Sequence, residues 1–179
     1  MNVVPDEKKL SELLLYIAKK LLDDPKGGAI KINKILFAAE YAAVRTYGSP
    51  ITGVPYQKLR LGPAPRRLVP VREALIAEGS AESRRDWYMG KRLDRLVPLR
   101  EPDLGAFSDD ELAIVDEAIS SLWDKTGMEA SDESHREMGW RMTEVGETIP
   151  YEAAFLAPAF EVTDSIAQHA RDLAERLGQ

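Results

Sequence analysis

Pro50, Pro55, Pro63, Pro65 and Pro70 all fall within Tyr47–Arg72 (YGSPITGVPYQKLRLGPAPRRLVPVR), and they constrain the chain more than any other feature. Each fixes φ and withholds a backbone N–H, so no continuous regular element is expected before about residue 66. Between the prolines, Tyr56–Leu61 alternates well enough for a short strand. Pro65 suits the first turn of a helix running to about Ala77, with Pro70 limiting its opening turns and Gly79 ending it. Two helices are expected ahead of this segment. Leu10, Leu13, Leu14, Ile17, Ala18 and Leu21 give one apolar stripe over Asp6–Leu22, and DDPKGG at Asp23–Gly28 breaks it. Ile32, Ile35, Leu36, Ala39, Ala43 and Tyr47 continue helical spacing up to Gly48, a C-terminal cap. The short connection makes these an αα-hairpin.

Beyond the proline segment, Glu82–Pro98 reads as a β-hairpin. Trp87 and Tyr88 precede Met89–Gly90, Leu93, Val97 and Leu99 follow, and Gly90 supplies the positive φ of a tight turn. Ser108–Glu111 is a capping box ahead of Leu112, Ile114, Val115, Ala118, Ile119 and Leu122, so a helix is expected there, ending near Asp124–Gly127. Ser134–Glu137 offers a second box, opening a short helix through Trp140. Thr163–Leu177 is read as a final helix with Thr163 as cap and Gly178 as stop. The expected fold is mostly α within an α+β class: one compact helical domain over residues 1–179 with a small β-hairpin or three-stranded sheet.

Several chemistries are disfavoured by what is missing. There is no cysteine, hence no disulfide framework and no thiolate metal site. The first apolar run, Leu13–Ala18, is too short for a signal peptide, and no run approaches the ~18 apolar residues of a membrane span. A cytoplasmic protein is expected. Gly48–Gly53 has the glycine spacing of a phosphate loop, but Val54 and Pro55 stand where Lys and Ser/Thr are required. The only histidines are His135 and His169, without an HExxH pattern, so no metal and no cofactor is expected. His135, in SHREMGW, has two readings: a general base, or a half-buried ring that bonds the backbone and packs near Trp140. The second is favoured, because no nucleophile or orienting group is indicated beside it. No enzyme is expected.

Binding is the remaining class. The net charge is −6, yet residues 1–100 sum to +8 and residues 101–179 to −14. Either the halves neutralise each other on folding or the basic half meets an anionic partner. From Arg45 to Arg100 there are 12 Lys/Arg against 5 Asp/Glu, with Tyr56, Trp87 and Tyr88 interleaved. Phosphate neutralisation with base stacking would use such a pattern, but the arginines are irregularly spaced and no nucleic-acid motif is present. Arg outnumbers Lys there by 10 to 2, and Arg with Tyr and Trp is the composition of protein-interface hot spots. The candidates for a partner surface are therefore Arg60, Arg66, Arg67, Trp87 and Tyr88.

Four ordered blocks add a resemblance. KINKILFAAE carries Lys31, Lys34, Ile35, Leu36, Phe37, Ala39 and Glu40; YGSPITG spans Tyr47–Gly53; Tyr56 and GPAP at Gly62–Pro65 follow; Ser134, His135 and Trp140 close the series, ahead of Tyr151 in IPYEAA. Over about residues 8–155 the chain resembles the SocA-like antitoxin family, the Panacea domain, which also occurs among phage-associated proteins. The resemblance implies a mostly helical, non-catalytic antitoxin that neutralises a cognate toxin by direct binding in a bacterial or phage toxin–antitoxin system. One member resembles a proteolytic adaptor, which adds a bacterial protease as a partner. The alternative is a nucleic-acid-associated regulator of phage origin using residues 45–100. Lys34, Phe37, Tyr47, Pro50, Gly53, Tyr56, Gly62, Pro63, His135, Trp140 and Tyr151 are implied to be framework residues. Residues 157–179 lie beyond the resembling blocks.

Overall fold

The computed structural model describes Met1 and residues 3–156; the expected helix over Thr163–Leu177 lies outside the described residues. Helix α1 (Glu7–Lys20) starts where Asp6 accepts a bond from the Lys9 N–H at 2.8 Å, with Glu7 in the first turn and Lys19 and Lys20 in the last. That polarity suits the helix dipole. Helix α2 (Ala29–Tyr47) opens three residues earlier than the apolar periodicity suggested and closes at Gly48, whose φ of 75° needs glycine. Leu10, Leu13, Leu14 and Ile17 of α1 and Ile35, Leu36, Phe37, Ala39 and Val44 of α2 are buried together. Each large apolar side chain so buried contributes about 2 kcal/mol, and the two helices form the centre of the fold.

A three-stranded antiparallel sheet has β1 (Tyr56–Leu59) between β2 (Gly62–Pro65) and β5 (Thr148–Ile149). The strand β2 overturns the expectation that the prolines exclude regular structure before residue 66. Pro63 faces Lys58 and Pro65 faces Tyr56, and β2 is an edge. The Arg66 N–H donates to the Pro55 carbonyl at 2.9 Å. The alternation this sets puts both prolines where the backbone nitrogen points away from β1, so no ladder bond is lost. Pro65 consequently belongs to a strand, and α3 (Leu68–Ala77) starts later than expected, with Pro70 in its first turn, where a missing N–H does no harm.

The second sheet is the expected hairpin, β3 (Ala81–Tyr88) and β4 (Lys91–Pro98). Met89 and Gly90 both have positive φ, 47° and 76°, the geometry of the turn that matches strand twist. Helix α4 (Asp109–Ser121) has the complete Ser108–Glu111 capping box. The second box is not where Ser134–Glu137 placed it. It is Thr126–Glu129, which opens α5 (Gly127–Ser134), an element the periodicity did not show. Ser134 lies at the end of that helix and donates back to the Ser131 carbonyl at 2.7 Å. Helix α6 (Met138–Met142) follows without a side-chain cap. α2 is central, contacting α4, α5, β2, β4 and a 3-10 turn at Tyr151–Phe155.

The two charge halves meet within the chain. Lys9–Glu111 (2.7 Å), Lys20–Asp116 (3.3 Å), Lys26–Asp124 (3.1 Å), Arg45–Glu137 (3.0 Å) and Lys19–Glu101 all join residues before 100 to residues after it. Among the described residues no helix is long and apolar enough to cross a membrane.

Candidate functional site

Two assemblies carry the residues singled out above. The first surrounds the middle of α2. Glu40 is fully buried, and its carboxylate accepts from the Ile51 N–H (2.7 Å), the Thr52 N–H (3.0 Å) and the Thr52 hydroxyl. One side chain thereby satisfies the turn of the PITG loop. Burial outweighs these donors and pushes the Glu40 carboxyl up to about 7. At Gly53, φ is 67°, and a Cβ would come within 2.4 Å of Val3. Phe37, Tyr41, Tyr56 and Tyr151 pack as a ring cluster with centroids 4.1–6.4 Å apart. The Tyr151 hydroxyl donates to the Val54 carbonyl at 2.7 Å, while the buried Tyr56 hydroxyl has no partner among the described residues. Burial raises both phenols.

Lys34, 3% exposed, donates to the Pro63 carbonyl at 3.1 Å, an oxygen that the β1–β2 register turns away from β1. Burial alone lowers its ammonium to about 8. Gly62 is required here, because a Cβ would stand 2.5 Å from the Lys34 Nζ and 2.6 Å from the Ser134 Oγ. The His135 ring stacks on Trp140 at 3.8 Å and 14°, Lys58 lies over Trp140 at 4.3 Å, and the Trp140 Nε1 donates to the Leu59 carbonyl at 3.4 Å. The packing expected for His135 is present, but its buried Nε2 has no hydrogen-bond partner among the described residues. Burial, then the nearby Lys34, holds His135 below its usual range. The groups around it are the cations Lys34 and Lys58, the carboxylate of Asp132 and the Trp140 indole, and among the described residues no hydroxyl bonds to it. Tyr47 departs from the framework role: it stands exposed at the end of α2, and Pro50 is half-buried.

The second assembly is the β3–β4 hairpin and the cleft beneath it. Arg95, 8% exposed, anchors the hairpin by donating to the carbonyls of Leu21 (2.9 Å), Asp24 (2.8 Å) and Pro25 (3.0 Å). Its Nε lies 2.9 Å from Asp86 without the alignment of a hydrogen bond, so that contact is coulombic. Under this anchor Lys31 and Asp24 form an ion pair with both side chains fully buried, and burial still keeps Lys31 below its ordinary value. The outer half of the hairpin, the first turn of α2 and the start of α5 enclose a cleft of about 610 Å³. Gly28 lets Leu93 approach α2, since a Cβ there would meet the Leu93 side chain at 2.4 Å. Tyr88, Met89, Leu93, Ile30 and Met128 supply its apolar surface, and Lys26, Lys91 and Arg92 its charged rim.

The five partner-surface candidates are not brought together. Arg60 is exposed at the β1–β2 turn. Arg66 is engaged by Gln57, Thr148 and the Gly146 carbonyl, bracing β1 against the segment that carries β5. Arg67 is paired with Glu7 at 2.6 Å. Trp87 and Tyr88 are on the other sheet, Trp87 exposed and Tyr88 half-buried at the cleft. Sequence reasoning missed Arg95, Ile30, Leu93, Met89 and Met128. The paired glycines Gly27–Gly28 and the lone Gly127 were the available signal of close approach there. Among the described residues no group of three or more His, Cys, Asp or Glu could hold a metal ion.

A family model described as antitoxin SocA-like, Panacea domain, matches residues 32–141. That span begins in α2 and ends in α6; it includes the β3–β4 hairpin, Lys34, Glu40, Tyr56 and His135, while Asp24, Ile30, Lys31 and Tyr151 lie outside it. No curated protein and no solved structure matches the chain.

Proposed function

The chain belongs to the family of SocA-like antitoxins with a Panacea domain, and from that premise we propose that it neutralises a cognate protein toxin by direct protein–protein binding. The role is non-enzymatic and cytoplasmic, within a bacterial or phage toxin–antitoxin system. The observation that carries this reading is the hairpin that leaves Trp87 (69%) and Met89 (85%) in water beside the exposed Arg84 and Arg85. Exposed aromatic and methionine side chains beside arginines are what an interface core uses.

Co-expression with the product of the adjacent gene tests it. The expected result is a stable complex and relief of growth arrest; a product that is toxic, unbound and unrelieved sinks the reading for that pair. Toxin levels in the same experiment separate two mechanisms. Unchanged toxin with restored growth means occlusion, and toxin that disappears only when a cellular protease is present means delivery to that protease. The nucleic-acid alternative rests on Arg84, Arg85, Lys91 and Arg92 of the hairpin. It requires binding to DNA or RNA that weakens steeply with salt, and absence of binding at low salt removes it. His135→Gln is expected to leave neutralisation intact, because the ring serves packing.

A further inference from the structure

We infer that the cleft between the β3–β4 hairpin and the first turns of α2 and α5 receives a segment of the toxin that presents an apolar face flanked by carboxylates. This rests on the antitoxin reading and adds the place and the chemistry of contact. Three features select that occupant. The concave surface is apolar: Ile30, Leu93 and Tyr88 line it, and Met89 and Met128 extend it into solvent at 85% and 58% exposure. An apolar surface that continues past the concavity exceeds what a small ligand covers, and methionine adapts its shape to an incoming side chain. The rim carries three cations held only by exposed partners: Arg92 is paired with Asp94 at 2.7 Å and Lys26 with Asp124 at 3.1 Å, contacts that exposed charges exchange at little cost, and Lys91 has no ion pair among the described residues. Carboxylates on an incoming segment can pair with Lys91 and take the places of Asp94 and Asp124 on Arg92 and Lys26.

The cleft is also prepared in advance. Arg95 ties the inner half of the hairpin to the turn after α1, and Gly28 seats Leu93 against α2. Little backbone ordering is therefore left for the moment of binding. The side chains of Met89 and Lys91 are exposed, which separates binding effects from folding effects.

A photo-reactive benzoylphenylalanine placed at position 89 of the full chain, co-expressed with the adjacent gene product, tests the assignment. The expected result is a cross-link to that product, mapping to a segment with apolar residues and Asp or Glu on either side. A cross-link to a second copy of this chain, to residues of the same chain, or to nucleic acid overturns it, as does a stable complex with no cross-link from position 89. Met89→Glu and Met128→Glu should each weaken the complex at least about tenfold, and Lys91→Glu by about threefold to tenfold with a reduced salt dependence. Val145→Glu, an exposed apolar position outside the cleft, should leave it unchanged. If the wild-type chain neutralises the toxin and Met89→Glu and Met128→Glu do so equally well, the cleft assignment fails while the antitoxin reading stands. If the wild-type chain neither binds nor neutralises, both fail for that pair.

Discussion

The region around the middle of α2 and the β3–β4 hairpin differ in what their polar groups bond to. Around α2, Glu40, Lys34, Tyr41 and Tyr151 all bond to backbone groups of the chain itself: the PITG loop, the Pro63 carbonyl, the Ile149 and Pro150 carbonyls and the Val54 carbonyl. In the outer hairpin, among the described residues, the side chains of Trp87, Met89 and Lys91 make no hydrogen bond, and those of Arg84 and Arg92 bond only to acids two residues away. The blocks that make the family recognisable therefore build a scaffold. The exposed chemistry suited to a partner stands on an element that carries none of them.

The hairpin's foot is where the comparison breaks most sharply, because it is as buried as the scaffold. Asp24→Ala leaves Lys31 as an uncompensated buried cation and should lower stability by about 3–5 kcal/mol, the largest effect expected, read as the urea midpoint. Hydrogen exchange should show the loss extending into residues 81–98 through Arg95. Glu40→Ala comes next. It strands the Ile51 and Thr52 N–H groups in the interior and should cost about 2–3 kcal/mol.

Glu40 and Lys34, two of the scaffold's buried ionisable groups, give its stability a pH dependence. With Glu40 raised from 4.5 to about 7, the folded chain keeps a proton that the unfolded chain has released. Its contribution is complete below about pH 4.5 and lost as pH rises to about 7, a fall of about 3 kcal/mol. Glu40→Gln should flatten that slope. Lys34, lowered from 10.5 to about 8, acts in the other window. Its penalty is full below about pH 8 and fades towards pH 10.5, so stability from this group rises there by a similar amount. In Lys34→Met that alkaline rise should vanish, which urea titrations at pH 7.5 and 10 would show. The smallest effect belongs to the hairpin face: Trp87→Ala should change stability by less than about 0.5 kcal/mol. A larger loss would mean that this face packs against something within the chain, and the contrast between the two regions would fail.

What was legible in the sequence was local. Ser108 with Glu111, Gly48 and Met89–Gly90 each state their geometry within four residues, because a cap or a tight turn is satisfied by atoms next to it. The misread features were those whose meaning depends on a distant strand or helix. GPAP is a strand because β1 turns both proline nitrogens outward, which no reading of GPAP alone contains. Ser134 has the spacing of a cap, but it ends a helix and bonds backwards. Thr126–Glu129 has the same spacing and does cap one; sequence does not separate the two, since each choice is settled by the packing of α5 against α2 and β2. The arginines divide in the same way. Arg66, Arg67 and Arg60 look alike in the chain, yet among the described residues two find partners through long-range contacts and one does not.

The sequence by itself determined the helical class, the bounds of α1, the end of α2, the start of α4, the hairpin and its turn, and the family. These follow from steric and capping rules that act over a few residues. Only the tertiary structure decided that the two charge halves pair within one chain, that Lys34 and Glu40 are buried against the proline loop, and that a basic, apolar cleft opens under the hairpin. Burial and charge pairing are properties of residues about 10 to 100 positions apart brought together, and that distance is closed only by the fold.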